Sequence, residues 1–189
     1  MKKLTNLSLI LAIAAAVVVD GCKSKEKMPA GETEIVVPCS GPDYFTTKDA
    51  FRANSIGESM DQVTSKKKAL TNARNELAQA INTTVKTVTD NYVNSRTMNN
   101  KEQLEQRFES LNREVVDQTL QGIITKCEKL VQTKDGNFKT YVAIELSAED
   151  LLSKYRDRLS KDDQLKIDYD YEKFKDTFNA EMEKKAAGN

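Results

Sequence analysis

The side chains with the richest chemistry here are three cysteines, at positions 22, 39 and 127, and the chain holds no histidine at all. Histidine is the commonest general base near neutral pH and the commonest metal ligand, so its absence weighs against most hydrolytic and metal-centred mechanisms. Carboxylates are the remaining acid–base groups. Glu102, Glu105, Glu109 and Glu114 form one set, and Asp162, Asp163, Asp168 and Asp170 another. A facing pair could serve acid–base work. Both sets lie among lysines and arginines in helical patterns, which reads as solvated helix faces. Asp168-Tyr169-Asp170-Tyr171 lacks the loop glycine and spacing of a calcium-binding EF-hand. No phosphate-binding loop, zinc spacing or Ser-His or Cys-His constellation occurs. The expectation is a non-enzymatic protein with no cofactor and no metal. Lys+Arg and Asp+Glu both number 29, so no basic excess is available for a phosphate backbone and no nucleic-acid partner is expected.

Cys22 has a distinctive setting. Lys2 and Lys3 precede an apolar stretch from Leu4 to Val19, too short for a spanning helix and suited to an export signal. Val19-Asp20-Gly21-Cys22 then resembles the lipobox of bacterial lipoproteins, with Asp20 where a small uncharged residue is usual. That resemblance implies a signal peptide over 1–21, cleavage before Cys22, and a diacylglyceryl group on its thiol. The competing readings are ordinary secretion and an uncleaved anchor. Residues 22–34 are polar, with Pro29 and Gly31, and read as a flexible tether. Lys23, Lys25 and Lys27 could touch anionic headgroups, although a solvated linker is the simpler reading and is preferred. Lys23 follows the cysteine where many inner-membrane lipoproteins carry Asp, which favours the outer membrane.

Cys39 and Cys127 remain. Two cysteines of an exported chain can bridge, and a loop this long would add about 4–5 kcal/mol under the chain-entropy model. They can equally stand as separate thiols, Cys127 then being a small core residue. Sequence alone leaves both readings open, because it does not give the Cα separation that a bridge requires.

The elements that must position these groups follow from periodicity. Ile35-Val36-Val37 is β-prone and closed by Pro38. Phe51–Ile56 alternates and predicts a strand, with Gly57 as a turn residue facing a helix N-terminus. Ser59 and Gln62 have capping-box spacing. A long helix is expected over 60–96, with Val63, Leu70, Ala73, Leu77, Ala80, Ile81, Thr84, Val88 and Tyr92 as its apolar stripe. Small Ala73, Ala78 and Ala80 would let a sheet approach closely. After a break at 94–100, a second helix over 101–120 buries Leu104, Phe108, Leu111, Val115 and Leu120. A hairpin follows, 122–132 and 138–146, turning at Lys134-Asp135-Gly136-Asn137. Phe138, Thr140, Val142, Ile144 and Leu146 would face a core and Lys139, Tyr141, Ala143 and Glu145 the wetter side. Ser147 with Asp150 caps a helix through Leu151, Leu152, Tyr155 and Leu159. Tyr171, Phe174, Phe178 and Met182 mark an amphipathic helix in 161–189, expected to fold back on the body rather than await a partner. The class is α+β: a small, mostly antiparallel sheet packed by a long helix, with further C-terminal helices. The folded domain is placed at 35–160.

Phe51-Arg52-Ala53-Asn54-Ser55-Ile56-Gly57-Glu58-Ser59, followed by Lys68-Ala69-Leu70, Asn72-Ala73-Arg74 and Leu77-Ala78, resembles the Lpp-twenty-type family of small bacterial envelope lipoproteins. The likeness covers about 44–155. The family often carries two glycines where this chain has Gly57 alone. The resemblance implies a small α/β domain at the outer membrane, at its periplasmic face or the cell surface, with no established enzymatic activity. The expected partners are the membrane, through the N-terminal lipid, and an envelope protein; oligomeric state is left open. Gly57 with Ala73-Arg74 also resembles peptidoglycan-binding modules of the outer-membrane-protein-A type. In that alternative, a cell-wall or glycan-binding module, Asp61 and Arg74 would hold the diaminopimelate.

Overall fold

The elements form where alternation gives way to four-residue spacing. In the computed structural model, which describes residues 31–33, 35–95, 101–161 and 170–188, β1 runs over Ala50–Ser59 and helix α1 over Gln62–Asn94. Helix α2 follows at Lys101–Thr119, extended by a 3-10 turn at Leu120–Gly122. Strands β2 (Ile124–Gln132) and β3 (Phe138–Ser147) form the hairpin. Helices α3 (Ala148–Leu159) and α4 (Tyr171–Ala187) are the last elements among the described residues. Cys22 with 1–30, the remainder of the expected break at 96–100, and Asp162, Asp163 and Asp168 lie outside the described residues.

The sheet has the order β1-β3-β2, antiparallel throughout. β3 is central, and four of its five expected inward residues, Thr140, Val142, Ile144 and Leu146, are buried, while Phe138 at the strand's start is half-buried. Ala143, expected on the wetter side, is buried as well, lying opposite the bridged Cys127. The turn works as Asp-Gly predicts. Gly136 N–H donates to Thr133 O at 3.0 Å, and Gly136 sits at φ 86°, a conformation that costs glycine no Cβ clash. The first arm starts two residues later than expected because Leu120–Gly122 are still wound.

Helix α1 lies across β1 and β3. Its buried row is Ser65, Ala69, Ala73, Leu77, Ile81 and Val85, each four residues on from the last. Val63, placed in the stripe from sequence, is 58% exposed because it lies off that row. Ala78 and Ala80 are half-buried; the close approach to the sheet is made by Ser65 and Ala69 instead. At 1.5 Å per residue the 33-residue helix is about 50 Å long, more than the ten-residue β1. Its second half therefore passes the sheet and packs Val88, Tyr92 and Val93 against α2 and α4.

Three local expectations need correction. Gly57 is not a turn residue: it lies within β1, opposite Thr140, and the strand continues to Ser59 opposite Phe138. Because Ser59 is still in the ladder, it cannot cap α1. The cap is Asp61, whose Oδ1 accepts from Thr64 N–H at 2.7 Å, while Ser59 Oγ accepts from Asp61 N–H at 3.3 Å. Ile35–Val37 form no strand. A strand needs a ladder partner, and Pro38 and the positive φ of Cys39, 56°, turn the chain away.

Val36–Asn189 form one compact unit that includes α4. Phe174, Phe178 and Met182 are fully buried in the same core as Phe51 and Tyr155. Phe174 stacks at 5.5 Å from the ring centre of Tyr155 and 5.8 Å from that of Tyr92. Each buried large apolar side chain contributes about 1.5–3 kcal/mol, so an amphipathic helix with three such residues gains more by folding back than by standing free. Polar links fix the register: Tyr155 O–H donates to Asn112 Oδ1 at 2.7 Å, and Asp170 N–H donates to Tyr92 Oη at 2.8 Å.

Candidate functional site

The face of the sheet turned away from α1 gathers the features left over from core packing. Arg52 and Asn54 of β1, Lys139, Tyr141 and Glu145 of β3, and Cys127 and Lys129 of β2 point to it by alternation from the buried set. Its charges are matched across strands. Arg52 Nε donates to Glu145 Oε2 at 2.6 Å, and Lys126 Nζ lies 3.5 Å from the other oxygen of Glu145. At the far end Lys139 Nζ sits 3.2 Å from Glu58 Oε2. Asn137 also donates to Glu58, and these partners hold its carboxyl below the ordinary range, the Lys139 hydrogen bond first. Lys139 is raised by the same contact.

The segment before β1 is fastened across this face. Cys39 is bonded to Cys127, with a Cα separation of 5.5 Å across 88 positions of sequence. Arg52 Nη1 donates to Phe45 O at 3.0 Å. Thr46 Oγ1 accepts from Arg52 N–H at 3.0 Å and donates to Arg52 O at 3.2 Å, occupying the free edge of β1. Of the two sequence readings of Cys39 and Cys127, the structure thus adopts the bridge.

Among the described residues, no strand pairs with the other edge of the sheet. β2 is exposed along nearly its whole length, with Ile124, Leu130 and Val131 all more than 40% open to solvent. A bulge separates Thr125 from Cys127, and beyond it the strand is regular to Gln132. Lys66 of α1 reaches Glu128 of β2 at 2.8 Å. Apolar side chains on an accessible strand whose outer edge is unpaired are the feature of this fold best suited to contact another chain. Periodicity alone did not show it, because alternation marks a strand without saying which strand lies at an edge.

The carboxylates are dispersed. Glu102, Glu105 and Glu109 line the exposed side of α2, above an open groove of about 610 Å³ shared with Lys86 and Asp90 of α1. Glu109 pairs with Arg113, and Glu114 with Arg158. Asp170 caps α4, accepting from Lys173 N–H at 3.2 Å. Asp61 and Arg74 are not brought together: a rise of thirteen positions along the helix separates them by roughly 20 Å. Asp61 is also committed to Thr64, whose hydroxyl and backbone N–H hold its carboxyl below the ordinary range. Among the described residues no group of three or more potential ligands has metal-binding geometry, and no helix is long and apolar enough to cross a membrane.

Comparison of the chain with protein-family models, with curated proteins and with solved structures finds no match.

Proposed function

We propose that this is an envelope lipoprotein of the Lpp-twenty type, held to the outer membrane by lipid on Cys22, whose folded unit is a non-enzymatic protein-interaction module. The observation that carries the reading is the use of the cysteines. Two of the three are joined to each other, Cys39 to Cys127, which leaves Cys22, following Val19-Asp20-Gly21, for the lipid. A disulfide also suits an oxidising compartment outside the cytoplasm. The resemblance around Phe51–Ser59 supports the family. The bare edge of β2 supports the interaction role, and anchoring in a thin layer raises the effective concentration of such an edge near membrane-bound partners.

The test is the mass of the mature N-terminal peptide, with fractionation of wild type and Cys22→Ser. A peptide starting at Cys22 with added acyl mass, and loss of membrane association in Cys22→Ser, are expected. An unmodified Cys22 in the mature protein rejects the lipid anchor.

A further inference from the structure

The open edge of β2 is its own complement, and we propose that a second copy of this chain pairs with it, antiparallel, about a twofold axis at Leu130. The hydrogen-bonding phase comes from the hairpin. Thr133 N–H donates to Asn137 O at 2.8 Å. Bonded and non-bonded pairs alternate along an antiparallel ladder. Val131, Lys129 and Cys127 therefore spend their backbone groups on β3, and Glu128, Leu130 and Gln132 turn theirs to the outer edge. The bulge lies between Thr125 and Cys127, outside this run. β1 offers no equivalent, since Thr46 already holds the N–H and C=O of Arg52.

Charge selects the register. A twofold edge pairs residue i with its mirror about the axis. Centring on Glu128 opposes two glutamates, and centring on Lys129 opposes two lysines; like charges directly opposite destabilise a pair. Centring on Val131 leaves only Leu130 and Gln132 to exchange edge bonds within the strand. Centring on Leu130 sets Leu130 against the partner's Leu130, Glu128 against the partner's Gln132 and Lys129 against the partner's Val131. No like charges meet, all three outward-facing residues bond, and Leu130 and Val131, 42% and 41% exposed in the single chain, are covered. Helix α1 lies over β1 and β3, so the two long helices stay clear of the new seam. The product is a six-stranded sheet in the order β1-β3-β2-β2-β3-β1.

The test is cysteine cross-linking of the full chain in the cells that make it. Leu130→Cys is compared with Val131→Cys and with Ile56→Cys on β1, and the bridged peptides are identified by mass. In the proposed register the two copies of position 130 face each other at about 5.5 Å between Cα atoms. Those of 131 lie roughly 8 Å apart, beyond disulfide reach. A homodimer bridged 130 to 130, with Cys39–Cys127 intact and both controls monomeric, is the expected result. No dimer from Leu130→Cys, a dimer from either control instead, or capture of a different protein at 130 overturns the proposal. As a variant without added thiols, Leu130→Glu should reduce amine-reactive cross-linked dimer at least tenfold; an unchanged yield also overturns it.

Discussion

The hydroxyl of Ser65 lies 2.9 Å from the carbonyl oxygen of Gly57, tying the first turns of α1 to the last residues of the strand beneath. The same hydroxyl is 2.8 Å from Thr140 Oγ1, so helix, edge strand and central strand meet at one buried polar point. This closeness is possible because position 57 has no side chain. A Cβ there would stand 2.2 Å from Ser65 O and 2.5 Å from Ala69 N, both backbone atoms.

Gly57→Ala should therefore force α1 off the sheet rather than fill space. Overpacking typically costs 1–3 kcal/mol, and a backbone clash belongs at the top of that range, so a loss of about 3 kcal/mol is expected. Ser65→Ala should cost about 1–3 kcal/mol, because a buried carbonyl loses its side-chain donor. Urea unfolding of the two variants checks the order; Gly57→Ala at wild-type stability would mean that the helix sits further from β1.

Helix α4 should behave as core. Phe174 and Phe178 are fully buried, and Phe178 lies 6.3 Å from Phe51 ring to ring. Either Phe→Ala change should cost about 3–5 kcal/mol. Phe174 and Tyr155 touch, so their losses should fail to add by about 0.5–3 kcal/mol in a double-mutant cycle. Additive losses under 1 kcal/mol each would instead describe a helix docked loosely on a finished domain.

The class and most elements were legible because each rests on local period. The β3 alternation, the Asp-Gly turn and the Ser147 cap, which accepts from Asp150 N–H at 3.3 Å, needed no distant information. What failed depended on partners. Gly57 read as a turn because glycine in a strand is explained only by what comes close to it, here α1. Ile35–Val37 have β-prone side chains but no ladder. The α1 stripe was read too broadly, since which four-residue row faces the sheet is set by Ser65 and Ala69, small residues that carry little hydrophobic signal. Proximity of Cys39 to Cys127 across 88 positions could not be read locally at all. Nor could the bareness of β2.

The bridge makes a separate prediction. Cys39 holds a left-handed backbone, unusual outside glycine and Asn, and its bond to Cys127 ties that turn to the sheet. Cys39→Ser or Cys127→Ser should lower unfolding stability by about 2–5 kcal/mol. Amide exchange should rise across 36–45 before it rises in β3, because that segment is fastened by the bridge and by exposed contacts such as Arg52 to Phe45 O. Equal stability with and without reductant, in a chain shown by thiol counting to be reduced, would assign the bridge no structural weight.

Two carboxylates, Asp61 and Glu58, give stability a common acid-sensitive sign, which Glu76 opposes because burial raises its carboxyl. Asp61 and Glu58 both titrate below their ordinary values, Asp61 through Thr64 and Glu58 through Lys139 and Asn137. A depressed folded pKa stabilises above the unfolded value, near 4, and that contribution is lost as pH falls through the folded value. Lys139, raised by Glu58, gives the opposite sign: its contribution is present below the unfolded value, near 10.4, and is lost as pH rises through the folded one. Asp61→Asn keeps a good cap and removes the titration. It should leave stability near pH 7 almost unchanged and flatten the acid limb below pH 4. Salt distinguishes the two groups. The exposed Glu58–Lys139 pair should weaken in 1 M salt, where the screening length is about 3 Å. The Asp61 cap, a contact with its own helix N-terminus at 2.7 Å, should persist. Thermal unfolding across pH 2–7 at low and high salt separates them; an acid limb in Asp61→Asn as steep as wild type would place the controlling carboxylate elsewhere.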